Sequence, residues 1–265
     1  MAICVLGCDG FIGRNLAKDL GVRGYGRRDV DLLDPIAVDA FFNLNSFDVV
    51  IHCAVVGGSR LKKDEPDVFF KNVMMFENVA RHAEKFKRLV WFSSGAALHA
   101  RETPYGFSKH VCEKLAGMIP NCQVFRIYGC YGAGEHPTRF ISSCLHGLVH
   151  IEENRYFDFF WVGDIYKVIT NFTECDGKVR DLVYKTKWKL YDIAKMNRTK
   201  AVSLSRDGGP AYIGEFNEEI GNAIGIFDRH PVMSPEEEGV AHERIRYGKL
   251  LEVLLAVGGV AGDVS

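Results

Sequence analysis

Two residues invite chemistry before anything else in this chain: Tyr105 and Lys109, four apart in "TPYGFSKHVCEKLAG". The stretch has helical period, so both side chains point to one face. An ammonium beside a phenol favours the phenolate and lowers the phenol's pKa toward working pH. Such a tyrosine can donate a proton to a carbonyl that is being reduced, or remove one from an alcohol in the reverse direction. Eleven residues earlier, "RLVWFSSGAAL" carries Ser93 and Ser94 at the end of an apolar strand. Open α/β sheets bind ligands at that carboxyl edge, and a hydroxyl there could share the substrate oxygen with Tyr105. Each signal alone is common, the first as helix surface and the second as a strand-to-loop cap. Their order behind a third motif makes them specific.

That motif is "VLGCDGFIGRNLAKDL", with Gly7, Gly10 and Gly13 spaced G-x-x-G-x-x-G between a strand-like run and a helical one. In this context Gly7 makes the tight turn, Gly10 admits a pyrophosphate and Gly13 lets helix and strand pack closely. Phe11 and Ile12 open the helix, whose N-terminus supplies free N–H groups and positive dipole. A glycine-rich turn without ligand is the plain alternative. A nicotinamide dinucleotide fits both the cradle and Tyr105: its positive ring adds to the field on the phenol, and Lys109 could hold its ribose hydroxyls.

The residues after the second strand choose the dinucleotide. NAD is usually held there by Asp or Glu, bonded to the ribose hydroxyls. This chain reads "YGRRD", with Arg27 and Arg28 where that acid would be. A guanidinium pairs with a 2′-phosphate and not with a neutral diol, which points to NADP(H). The competing reading is a solvated turn in which Asp29 and Asp31 occupy the arginines. Asp31 and Leu32 are placed to approach the adenine. Cys53, Ala54 and Val55, closing "VVIHCAV", should pass beneath the pyrophosphate and ribose, where small side chains are needed. His52 reads as a core or sheet-end histidine.

The elements that must position these groups are short apolar runs alternating with helical patterns. The runs are "AICVL", "VRGYG", "FDVVIHC", "RLVWF" and "QVFRI"; the helices are expected over 11–20, 35–43, 66–85 and 104–117. Five buried strands separated by helices imply an α/β fold with a doubly wound parallel sheet. After about residue 130 the alternation loosens. A dinucleotide domain over 1–130 and a smaller lobe over 131–265, interleaved with the last strands, is expected, because "RDLVY" still reads as a sheet strand. No internal repeat or low-complexity segment shows.

With 265 residues, 47% of them hydrophobic, the chain can bury a full core. A net charge of -1 without a long basic run gives no footprint for nucleic acid, so a small-molecule substrate is expected. The eight cysteines are scattered and never form C-x-x-C. They read as reduced thiols of a cytoplasmic protein. Neither a signal peptide, a membrane span nor a metal site is expected.

Taken together the blocks resemble the extended short-chain dehydrogenase/reductases that act on nucleotide sugars. "GCDGFIG", "DVVIHCA", "FFKNVMMFENVARHA", "LVWFSS", "YGFSK", "FRIYGCYGAGE" and "FDFFWVGDI" look like that family's blocks in order, and "MSPEEEGV" resembles its closing helix. "GRRDVDLLDPIAVDAFF" is similar to the segment in which its GDP-L-fucose synthase and dTDP-4-dehydrorhamnose reductase branches carry an arginine and then an acidic, D-P-containing turn. Both branches reduce a 4-keto-6-deoxy sugar nucleotide with NADPH.

The resemblance implies a Rossmann fold with helices on both sheet faces and a small C-terminal substrate lobe. It implies Ser94 as the catalytic serine, Tyr105 as the acid, Lys109 as its partner, Asn72 as a supporting asparagine and Tyr128 in the loop passing the nicotinamide. It also implies a homodimer through the helix that holds "FFKNVMMFENVA" and the Tyr-Lys helix. The sequence departs from the pattern in three places. Ala96 replaces the cysteine the fucose synthase branch uses for epimerisation, and Arg139 aligns near that branch's histidine, with His136 close by. Gly129 replaces an asparagine that touches the sugar diphosphate. The segment between Ser94 and Tyr105 is short. Arg139 could meet the diphosphate, or lie on the surface. Two other functions stay open: a 4-epimerase that retains NAD, and a cofactor-binding protein without chemistry.

Overall fold

The computed structural model describes residues 1–59 and 62–233. The first half runs β1 (Ile3–Leu6), α1 (Phe11–Asp19), β2 (Gly24–Tyr25), α2 (Pro35–Leu44), β3 (Val49–His52), α3 (Asp67–Ala80), a 3-10 turn over Ala83–Lys85, β4 (Arg88–Ser94), α4 (Ala96–His99), α5 (Pro104–Ala116) and β5 (Cys122–Ile127). Then follow β6 (Cys130–Tyr131), α6 (Phe140–His146), β7 (Leu148–Asn154), β8 (Phe160–Trp161), α7 (Val162–Asn171), β9 (Val179–Leu182), α8 (Leu190–Met196), β10 (Ala201–Asp207) and α9 (Glu218–Ile224).

Six strands form one sheet in the order β2-β1-β3-β4-β5-β9, every neighbouring pair parallel. The chain leaves β1 toward β2 on one side and returns to β3 on the other. The glycine loop that follows β1 therefore opens at the crevice where an α/β sheet takes its ligand. Alternation along each strand divides the apolar residues between two cores. Val5, Ile51, Val90, Phe92 and Phe125 face α1, α7 and α9. Cys4, Leu6, Val50, Leu89, Trp91 and Val124 face α2, α3 and α5. Helices α7 and α9, from beyond residue 130, pack on the first of these cores, and β9, which holds most of "RDLVY", pairs with β5.

Two helix starts matter for the site. Asp34 accepts from the N–H groups of Ile36 and Ala37 ahead of α2. Thr103 accepts from Gly106 N–H at 3.0 Å, with Pro104 in the first helical position of α5. The T-P-Y sequence therefore places Tyr105 in the first turn of its helix. The expected helix over 66–85 is shorter than its pattern: α3 ends at Ala80, and His82 leaves helical geometry with its imidazole 2.9 Å from Asp39 of α2. Of "VRGYG", only Gly24 and Tyr25 pair with β1. The second lobe holds the parallel pair β7–β10 and the short pair β6–β8 over a third core that includes Tyr131, Ile141, Ile151 and Ile193. "MSPEEEGV", apart from its buried Met233, lies outside the described residues. Among the described residues no helix is long and apolar enough to cross a membrane.

Candidate active site

The glycine loop is a cradle that side chains would fill. Gly7 has φ +81°, and a Cβ there would meet Ala54 N at 2.5 Å. A Cβ on Gly13 would collide with the Gly7 carbonyl oxygen, so helix α1 touches the loop directly. Gly10 begins α1 in extended geometry, and no side chain caps the first turn. The N–H groups of Phe11 and Ile12 thus face the loop uncapped, while their side chains pack on the first core. Cys53 N–H donates to Leu6 O at 2.9 Å, which fixes the small residues Cys53 and Ala54 beside the loop, with Val55 exposed after them. An open helix N-terminus over a Cβ-free floor fits a dinucleotide pyrophosphate.

At the other end of the crevice Ser94, Tyr105 and Lys109 come together. Ser94 ends β4, buried; its oxygen accepts from Ala96 N–H at 3.2 Å. Burial raises the Tyr105 phenol above its ordinary pKa; the Ser94 hydroxyl and the Arg139 guanidinium pull it back, and Asp64 adds to the rise. The Lys109 ammonium lies 5.8 Å from the Tyr105 ring centroid and 4.7 Å from that of Trp91. It donates to Phe92 O at 2.7 Å, and burial lowers its pKa to about 8. Lys109 therefore gives up its proton more readily than an ordinary lysine while keeping it at neutral pH.

Residues 3–171 match the NAD dependent epimerase/dehydratase family. The chain belongs to this family. No curated protein sequence matches it. Solved structures share its fold. A dTDP-4-dehydrorhamnose reductase from Clostridium acetobutylicum has 18% identity and TM-score 0.67, covering 95% of this chain and 100% of its own. A GDP-L-fucose synthetase from Naegleria fowleri, bound to NADP, has 15% identity and TM-score 0.68, covering 86% and 88%. A GDP-mannoheptose C4 reductase from Campylobacter jejuni, with NADP bound, has 14% identity and TM-score 0.70, covering 89% and 94%.

In this epimerase/dehydratase chain several expected site residues have other work. Asn72 is bonded within the protein: it accepts from Val56 N–H at 2.9 Å and donates to Val56 O and to Ser108 Oγ. It clamps the loop after β3 to α5. Leu32 is buried in the second core, and its carbonyl accepts from the Asn78 amide, so its side chain does not approach an adenine. Tyr128 donates to Asp181 at 3.1 Å, and its ring fills the space that a Cβ on Gly95 would need. It packs against the turn after Ser94. His136 is exposed and bonded to Thr138 within its own turn. Arg139 is half-exposed, pairs with buried Glu135 at 3.6 Å, and still acts electrostatically on Tyr105. Gly129 has a packing reason: a Cβ would meet the Phe159 ring at 2.7 Å, so an asparagine does not fit.

At the adenosine end Arg27 is bound by Asp31 at 3.1 Å, whereas Asp29 pairs with Arg23. Arg28 is exposed and forms no ion pair among the described residues. His52 is 1% exposed with no hydrogen-bond partner for either ring nitrogen, and burial lowers its pKa to about 3.

Sequence reasoning missed two groups. Tyr212 comes in from the second lobe, stacked on Phe157 at 4.8 Å and held by backbone bonds to Tyr156 and Asp158. Burial pushes its phenol up to about 12, and the Ser94 hydroxyl faces it as it faces Tyr105. Behind α5 lies a buried ion network. Arg126 binds both oxygens of Glu113 at 2.9 Å and Asp181 at 2.8 Å, while Ser93 donates to Glu113 at 2.6 Å. Burial disfavours the Arg126 charge, but the two carboxylates hold it above its usual range. Glu113 lies four residues after Lys109, so a spacing test could have noticed it; Tyr212 had no sequence signal.

Proposed function

We propose that the protein is an NADP(H)-dependent reductase of a nucleotide-activated 4-keto-6-deoxy sugar. The observation that carries this reading is the convergence of Ser94, Tyr105 and Lys109 at the carboxyl edge of the sheet whose glycine cradle fits a dinucleotide. Gly7, Gly10 and Gly13 with the N–H groups of Phe11 and Ile12 would hold the pyrophosphate, Arg28 the 2′-phosphate and Lys109 the nicotinamide ribose. Bound NADPH supplies hydride from its nicotinamide ring. Ser94 and Tyr105 hold the substrate carbonyl oxygen, and the Tyr105 hydroxyl delivers its proton there. A raised phenol pKa keeps that proton in place until it is needed, and the Lys109 cation stabilises the phenolate that remains. Arg139, facing the Tyr105 phenol, would take the substrate diphosphate.

The reductases of similar fold named above act on nucleotide sugars, which supports the substrate class. The exposed apolar residues Phe70 and Met74 of α3 and Phe107 of α5 support a homodimer through these helices. The scattered free thiols support a cytoplasmic setting.

The test is NADPH consumption with dTDP- and GDP-linked 4-keto-6-deoxy sugars, with Tyr105→Phe alongside. The substitution should lower kcat by on the order of 10²-fold or more while NADPH binding persists. Full activity of Tyr105→Phe would remove the mechanism. NAD retained through purification, with no net consumption of added cofactor, would turn the reading to a 4-epimerase.

A further inference from the structure

The turn after β2 carries an acid that neither sequence reading of it included. Asp9, between Gly7 and Gly10 of the glycine motif, reaches across to it. Its carboxylate accepts from the Arg27 N–H at 3.0 Å, and a Cβ on Gly26 would collide with one carboxylate oxygen and lie 2.7 Å from the other. The acid absent from the end of β2 is thus supplied from the loop after β1.

The charges at this turn pair off in a definite way. Arg23 and Asp29 neutralise each other at 2.9 Å, as do Arg27 and Asp31 at 3.1 Å. Arg28 and Asp9 are left. Among the described residues neither forms an ion pair, and both are exposed. Asp9 is bonded only to a backbone N–H, so its charge is not compensated.

Resting on the dinucleotide reading above, we propose that Asp9 is a specificity-determining residue at the adenosine ribose: it accepts from the 2′-hydroxyl of NADH and repels the 2′-phosphate of NADPH, against the attraction of Arg28. A carboxylate accepts well from a diol and faces a dianion at a cost, while a guanidinium does the reverse. One of each at one turn weakens the preference for NADPH that Arg28 alone would give.

The experiment is calorimetric titration of the full chain with NADPH and with NADH, for the wild type, Asp9→Asn, Asp9→Ser and Arg28→Ala. Asparagine and serine keep an acceptor for the Arg27 N–H and remove the charge, so at least one variant should fold, which circular dichroism checks. The wild type should bind the two cofactors within about tenfold of each other. Asp9→Asn should tighten NADPH about tenfold or more and leave NADH within about threefold, and the gain should shrink at high salt. Arg28→Ala should move the ratio toward NADH. An unchanged NADPH-to-NADH ratio in both Asp9 variants would overturn the assignment while leaving the reductase reading intact. Binding of neither cofactor by the wild type would overturn that reading and this inference with it.

Discussion

Around Tyr105 the polar groups are buried and held by the protein, whereas around Arg27 and Arg28 the charges stand in solvent. Lys109 is fixed by the Phe92 carbonyl, Asn72 is bonded to Val56 and Ser108, and Arg126, Glu113 and Asp181 lock α5 to β5 and β9. At the adenosine end the pairs are surface pairs, Arg27 being 75% exposed in its side chain, and β2 contributes only two residues to the sheet. The difference follows the chemistry proposed for each end. Proton delivery needs one geometry in a dry environment, where an unpaired charge is expensive. Selecting between a hydroxyl and a phosphate needs only a field, which exposed groups supply and single substitutions can retune.

The comparison is broken most severely by Arg126→Met. It leaves Glu113 and Asp181, each 8% exposed, without their shared cation. A loss of about 3–5 kcal/mol in urea unfolding is expected. A loss below about 1 kcal/mol would mean that the network does not hold α5 in place.

The next effect is on pH. Lys109, lowered by burial to about 8, loses its charge as pH rises through that value, and in the proposed mechanism its support for the Tyr105 phenolate goes with it. Turnover should fall above about pH 8, by up to about tenfold per unit. Stability moves the other way. Between about 8 and the ordinary value of 10.5 the unfolded chain binds the proton that the folded chain has released, so the contribution of Lys109 to stability rises with pH. Lys109→Met should abolish both slopes; a turnover profile flat through pH 8 in the wild type would contradict the first.

His52 gives a stability test of the same sign in acid. Its folded value of about 3 lies below the ordinary 6.5, so its contribution is present above pH 6.5 and is lost as pH falls toward 3. The slope is at most about 1.4 kcal/mol per pH unit. His52→Leu should remove it and leave stability at neutral pH within about 1 kcal/mol, since neither ring nitrogen has a partner to lose. Smallest of all, Arg27→Ala should change Tm by less than about 2 °C, because its pair with Asp31 is solvent-exposed. A larger drop would show that the adenosine end is built as firmly as the other.

Much of the buried end was legible in the chain. T-P-Y signals a capped helix with Tyr105 in its first turn, and strand-glycine-helix signals the cradle, because caps and tight turns depend on neighbours in sequence. The adenosine end was less legible. "RRD" and the nearby acids raise the Arg27–Asp31 pair as one of two readings, but not the approach of Asp9 to the Arg27 N–H, since Asp9 arrives from the preceding loop. Leu32 and Tyr128 were placed by their order in the chain, yet one side chain points into the core and the other beneath the Ser94 turn. Strand-end residues alternate between faces, and a shift of one position reverses what they meet. Tyr212, more than a hundred residues from Ser94, carries no local mark at all.

The sequence by itself determined the parallel α/β sheet, the open helix end over a glycine floor, and the helix that carries Tyr105 and Lys109 on one face. Each of these depends on the period of apolar residues and on interactions within a few positions. The tertiary structure alone decided which charges are left over: Arg126 shared by two carboxylates, Arg27 spoken for, Arg28 and Asp9 unpaired, Tyr212 beside Ser94. Electrostatic and hydrogen-bond partners are chosen by distance in space, and only the folded chain sets that distance.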